Sequence, residues 1–107
     1  MSYASRNWKA VEMTDLVGST HTLVVTGEVE VHKANETPKL VKAHPQGISP
    51  ATLILTLSVD GAGDTGPDVM QWKRVKFSTE IMSRQYKHVM ITGATDEQTV
   101  EVEEILS

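Results

Sequence analysis

The sequence predicts an all-β chain forming one domain over residues 1–107, an antiparallel β-sandwich of about seven strands in Greek-key order, with a small β-barrel as the alternative. Three observations carry this. Val, Ile and Thr make up 30 of 107 residues, and their stiff β-branched side chains suit a pleated surface better than a helix. Apolar and polar residues alternate along several runs, the period-two signature of a strand with one buried face. Clusters of Gly, Pro, Asn and Asp punctuate these runs at fairly even spacing, as turns between short strands do.

Taken in order, residues 1–7 read as a loose N-terminal tail and Trp8 to Met13 as a weak strand. The clearest strand is His21 to Val31, with Leu23, Val25, Val29 and Val31 on one face and Thr22, Thr26, Glu28 and Glu30 on the other. Gly27 lies within it, the mark of a bulge or of a neighbour that approaches closely. Residues 34–38 form a break, and Lys39 to Ala43 is a second weak strand. Thr52 to Asp60 alternates cleanly through Leu53, Leu55, Leu57 and Val59. Val69 to Phe77, Tyr86 to Thr92 and Val100 to Ile105 complete the set. Between Phe77 and Tyr86, Glu80 and Arg84 are one helical turn apart, so residues 79–85 are expected to form a short helical turn. A strand, a helical turn and a Tyr-led strand give a layout that resembles an immunoglobulin-like sandwich, with Tyr86 in the place of a tyrosine corner. The inter-sheet cysteine pair of antibody domains is absent, since the chain has no cysteine.

Composition narrows the function. Without cysteine there is no disulfide, thiolate metal site or cysteine nucleophile. The net charge of −4 provides no field to attract phosphate backbones or anionic membranes, so neither nucleic acid nor membrane is an expected partner. No apolar signal region opens the chain, and the densest apolar run, Leu53 to Val59, is interrupted by Thr56 and Ser58. It falls far short of the ~20 apolar residues of a spanning helix. The expected compartment is the cytoplasm.

The chemical motifs are weak. Gly61-Ala62-Gly63-Asp64-Thr65-Gly66 matches G-x-G-x-x-G, but Pro67 and a strand follow it where a dinucleotide site needs a helix N-terminus. Asp60, Asp64 and Asp68 could gather around calcium, the one cofactor the sequence hints at, though Asp is also a good turn former. His21 and His32 lie at opposite ends of one strand, about 36 Å apart if it is continuous, and so cannot share a metal. His44 and His88 are too few for a zinc site. Glu28 with Glu30, and Glu101 with Glu103, read as solvated faces, with Lys73, Arg74 and Lys76 available across from either of them.

The stretch from Met70 to Phe77 is the most informative for function. Strict alternation sends Met70, Trp72 and Arg74 outward, the composition of a binding hot spot, and leaves Gln71 and Lys73 on the apolar face with Val75 and Phe77. A bulge near Lys73 would instead return Trp72 to the core. The loop 44–50, with His44, Pro45 and Ile48, is stiffened by two prolines. No constellation competent for catalysis is visible. The expected function is therefore a non-catalytic protein-interaction or binding module. The alternatives are a protease-inhibitor-like module using loops 44–50 and 60–68, and a small-molecule or carbohydrate binder using Trp72. A homodimer through edge strands is a further expectation, because two edges must be protected.

Overall fold

The computed structural model describes residues 3–15, 17–44, 46–47, 50–61, 68–93 and 97–106, with residues 68, 69 and 106 described by their backbone. Among the described residues there are seven strands and no helix: β1 (Ser5–Thr14), β2 (His21–Lys33), β3 (Thr37–Lys42), β4 (Thr52–Asp60), β5 (Asp68–Ile81), β6 (His88–Thr92) and β7 (Gln98–Leu106). Each falls on a run of alternation read from the sequence.

The strands join into one sheet in the order β3-β4-β6-β7-β1-β2-β5. The sheet curls until its edges, β3 and β5, lie side by side, so the molecule is nearly closed and barrel-like. This is the barrel alternative. The two-layered, immunoglobulin-like sandwich is not formed, because β7 pairs with both β6 and β1 and so fuses what would be two sheets. Nor is the pairing wholly antiparallel: β1 runs parallel to β7 and β4 parallel to β6.

The inner face is the core. Leu23, Val25, Val29, Leu53, Leu55, Val89 and Ile91 are inaccessible to solvent or nearly so, and a fully buried Val or Leu contributes roughly 1.5–3 kcal/mol. Gly27 belongs to this face. Its φ is not in the left-handed region; what excludes a side chain is the indole of Trp8, which lies where a Cβ would stand.

Two further expectations are corrected. Residues 79–85 do not form a helical turn. β5 continues to Ile81, carrying Thr79 opposite Leu23 and Ile81 opposite His21, so ladder bonds outcompete one side-chain pair. The chain then reverses through a turn in which Gln85 N–H donates to Met82 O at 3.1 Å and Arg84 takes a positive φ of 54°. The tail expected over 1–7 is anchored from Tyr3 onward. Tyr3 is buried, its hydroxyl donates to Glu36 Oε2 at 2.6 Å, and Ser5 and Arg6 already pair with Val29 and Glu28.

Each end of the barrel holds a buried carboxylate. At one end Glu36 Oε1 accepts from the backbone N–H of His32 and Lys33 at 2.7 and 2.8 Å, while Oε2 takes the Tyr3 hydroxyl. That hydroxyl comes first among the causes holding the Glu36 carboxyl below the usual glutamate range. The same bond pushes Tyr3 up to about 12. At the other end Glu12 accepts from Arg84 N–H at 3.2 Å on each oxygen and lies 3.3 Å from His21 Nδ1.

Candidate binding face

The register of β5 decides the direction of Trp72. No bulge occurs near Lys73; β5 stays in step with β2 from His21↔Ile81 to Val31↔Gln71, and the one irregularity falls between Val31 and Lys33. Trp72 therefore faces outward, opposite Glu30, and Arg74 outward opposite Glu28. Lys73, on the inner face, escapes the core by reaching over the barrel rim. Its ammonium donates to Ala34 O at 2.8 Å and Glu36 O at 2.6 Å, tying β5 to the turn that begins β3.

A bulge in β1 builds the rest of the face. The β1–β2 register shifts between Arg6 and Lys9, and Asn7 within the shift has a φ of 58°, a conformation rare outside glycine. Bulges of this kind re-aim side chains. Here Trp8 turns inward onto Gly27, its indole N–H donating to Ser5 Oγ at 2.9 Å, while Arg6 turns outward. The Arg6 guanidinium carbon lies 3.9 Å from the centroid of the Trp72 ring, a cation–π contact worth about 0.5–1 kcal/mol at an exposed site. Arg6 Nε also pairs with Glu28 Oε1 at 3.3 Å, and Asn7 Nδ2 donates to the same oxygen at 2.5 Å. The Asn7 bond, with the Arg6 and Arg74 charges behind it, lowers the Glu28 pKa.

Between these groups lies a cleft of about 290 Å³ lined by Asn7, Thr26, Gly27, Glu28 and Arg74. The Arg74 guanidinium faces Glu28 but makes no hydrogen bond or ion pair among the described residues. Next to it Trp72 is half-buried and Met70 is 70% exposed. On the rungs around the cleft, from Glu30–Trp72 to Thr26–Lys76, the outward positions carry four cations, Arg6, Lys9, Arg74 and Lys76, against two carboxylates, Glu28 and Glu30; Glu80 lies two outward positions further along β5.

The other candidates do not join this face. His44 is exposed and follows β3 at the end away from the Lys73 contact. Pro45 and Ile48 lie outside the described residues. Within that loop Gln46 imitates a strand residue: its amide donates to Ala43 O and Ile54 O at 2.6 and 2.8 Å and accepts from Ile54 N–H at 2.9 Å. Asp60 and Asp68 do come to one barrel end, opposite Thr37 and Lys33. Asp60 is paired with Lys39 at 3.1 Å, Asp64 and most of the G-x-G-x-x-G run lie outside the described residues, and of Asp68 only the backbone is described. Among the described residues no group of three His, Asp or Glu could hold a metal, and no helix is long and apolar enough to cross a membrane.

A second cleft of about 250 Å³ opens over the start of β6, lined by Arg84, Tyr86, Lys87, His88, Glu101, Val102 and Glu104. His88 stands across from Glu101, and Arg84 Nε pairs with Glu104 Oε1 at 3.3 Å.

Arg6, Asn7 and Glu28 had no signal in the sequence as members of one site. They meet only through the β1 bulge, in a segment that composition marks as a tail. No protein-family model matches the chain, and no curated protein sequence or solved structure matches it either.

Proposed function

We propose that the protein is a non-catalytic interaction module that engages a protein partner through the outer face of β1, β2 and β5. One observation carries this reading: Trp72 points away from the core, braced by Arg6 at 3.9 Å, beside exposed Met70 and a cleft holding Arg74, which makes no hydrogen bond or ion pair among the described residues. Trp and Arg dominate binding hot spots, and Met is enriched at interfaces, because each combines a large apolar surface with a polar or polarizable contact. Bracing by Arg6 lowers the side-chain entropy lost when a partner docks. The same bracing disfavours the carbohydrate alternative, since the guanidinium covers a ring face that a sugar would stack on. Gln46, held to Ala43 and Ile54 by three hydrogen bonds, supports the inhibitor-like alternative.

Affinity capture from lysate of the source cells tests the proposal, with proteins quantified on wild-type, Trp72→Ala and Lys42→Ala baits of verified fold. The expected result is at least one protein retained by the wild type and Lys42→Ala and lost from Trp72→Ala. An identical set of proteins on all three baits rejects the face as a binding surface. Inhibition of a protease panel that survives Trp72→Ala moves the function to the loops.

A further inference from the structure

We infer that the partner docks as an extended, acidic–apolar segment laid along β5, with a carboxylate in the cleft on Arg74 and an apolar side chain on Met70 and Trp72. The inference rests on the reading of this face as a protein-binding surface and specifies the partner's chemistry.

Charge complementarity selects the acid. The chain as a whole is −4, yet the outer positions around the cleft hold two more cations than carboxylates. One of the two carboxylates is already engaged: Glu28 takes Arg6 and Asn7. Glu30 lies 3.8 Å from His32 Nε2, an ion pair only when the imidazole is protonated. Arg74, Lys9 and Lys76 make no ion pair among the described residues. A guanidinium at the mouth of a cleft, next to an Asn amide, matches the planar geometry of a carboxylate with two parallel N–H bonds.

Geometry selects an extended segment. Met70, Trp72 and Arg74 occupy alternate positions of one strand, so successive side chains on this face are about 7 Å apart. An extended peptide has the same repeat and can place alternate residues on the three in turn. Met70 and Trp72 supply the apolar contact, and Arg74 the ionic one two residues further on.

The surroundings argue against a long polyanion. β7 neighbours β1 on the same outer surface and presents Glu103 next to Val11, with Glu101 one outward position before it. A nucleic acid crossing the face from β5 over β2 and β1 would meet this acidic strand one strand spacing, about 5 Å, beyond Arg6 and Lys9, within the Debye length at physiological salt. A segment with one or two carboxylates meets only the cations.

Selection of random octapeptides displayed on phage, carried out in parallel on wild type, Arg74→Gln, Arg74→Glu and Met70→Ala, tests this. The expected wild-type pool is enriched in Asp or Glu with an apolar residue two or four positions away. Arg74→Gln, which keeps most of the side chain's length without its charge, should weaken a selected peptide about tenfold or more. Arg74→Glu should turn the selected charge from acidic to basic. Met70→Ala should relax the apolar preference and keep the acidic one. A wild-type pool with no enrichment, or an acidic one unchanged in Arg74→Gln, overturns the inference, as does oligo(dT) or inorganic phosphate displacing the selected peptide. A natural partner captured through Trp72 whose binding survives Arg74→Gln also overturns it, and leaves the interaction reading intact.

Discussion

The contact between Gly27 and Trp8 allows a prediction whose sign reverses with the background. In most strands Gly→Ala is favourable by about 0.5–1 kcal/mol, because alanine loses less backbone entropy on folding. The backbone of Gly27 would accept alanine, so space alone decides. A Cβ at this position falls within the Trp8 indole, and the ring cannot retreat freely because its N–H is bonded to Ser5 at 2.9 Å. Overpacking of this kind costs about 1–3 kcal/mol. Gly27→Ala should therefore destabilise the wild type by a net of about 1–2 kcal/mol. Trp8→Ala alone should cost about 3 kcal/mol. Once the ring is gone, Gly27→Ala should become stabilising by about 0.5–1 kcal/mol, leaving a coupling of roughly 1.5–3 kcal/mol between the two sites. Urea unfolding of the four proteins measures this. With an m-value of about 1–3 kcal/mol/M for a small protein, Gly27→Ala lowers the midpoint by roughly 0.3–2 M. A neutral or stabilising Gly27→Ala in the wild type, or the same change in both backgrounds, refutes the account of the β1 bulge as the device that seats Trp8 on Gly27.

Two other outcomes follow from the barrel rim. The Tyr3–Glu36 bond should shape both limbs of the pH–stability profile. Glu36, its pKa depressed in the folded state, contributes stability that is present above the usual glutamate range and lost as pH falls through the folded value. Tyr3, raised from 10.0 to about 12, contributes stability that is present below 10 and lost as pH rises toward 12. Thermal midpoints of Tyr3→Phe against pH should show both limbs flattened; a profile parallel to wild type refutes the assignment. Lys73→Met should lose two charge-assisted bonds and about 1–2 kcal/mol, and should self-associate in sedimentation as the inward charge guarding the β5 edge disappears. An unchanged urea midpoint and a purely monomeric profile argue against that role.

The sequence carried the strands and withheld their neighbours. Alternation along Thr52 to Asp60 marks both faces of β4, so its limits could be read directly. Nothing in that pattern reveals that β4 lies parallel to β6, because period two is the same for either direction of pairing. The direction of Trp72 turned on Lys73. A lysine on an apolar face reads as a conflict until the barrel rim supplies two carbonyls for it, and those belong to Ala34 and Glu36, distant in sequence. Lys73, Arg74 and Lys76 could have faced either carboxylate ladder, and the register sets Arg74 opposite Glu28. Arg6 and Asn7 stayed hidden because a bulge leaves no compositional trace. The same is true of the second cleft, where His88 and Glu101 are opposed only through the β6–β7 register.

The parallel β1–β7 ladder has a consequence for how the molecule is made. β7 is the last of the seven strands in chain order, and it is the strand whose ladders join the β1–β2–β5 set to the β3–β4–β6 set. Until it arrives the nascent chain holds two partial sheets with no ladder between them, and the β1 and β6 edges stand bare. Its docking brings Ala10 opposite Val102, a pairing of residues far apart in the sequence that costs loop-closure entropy. Closure of the barrel is then a late step that follows the appearance of β7, on the milliseconds-to-seconds scale of topologies dominated by distant contacts. During that interval the protein is at its most vulnerable to pairing with the wrong strand.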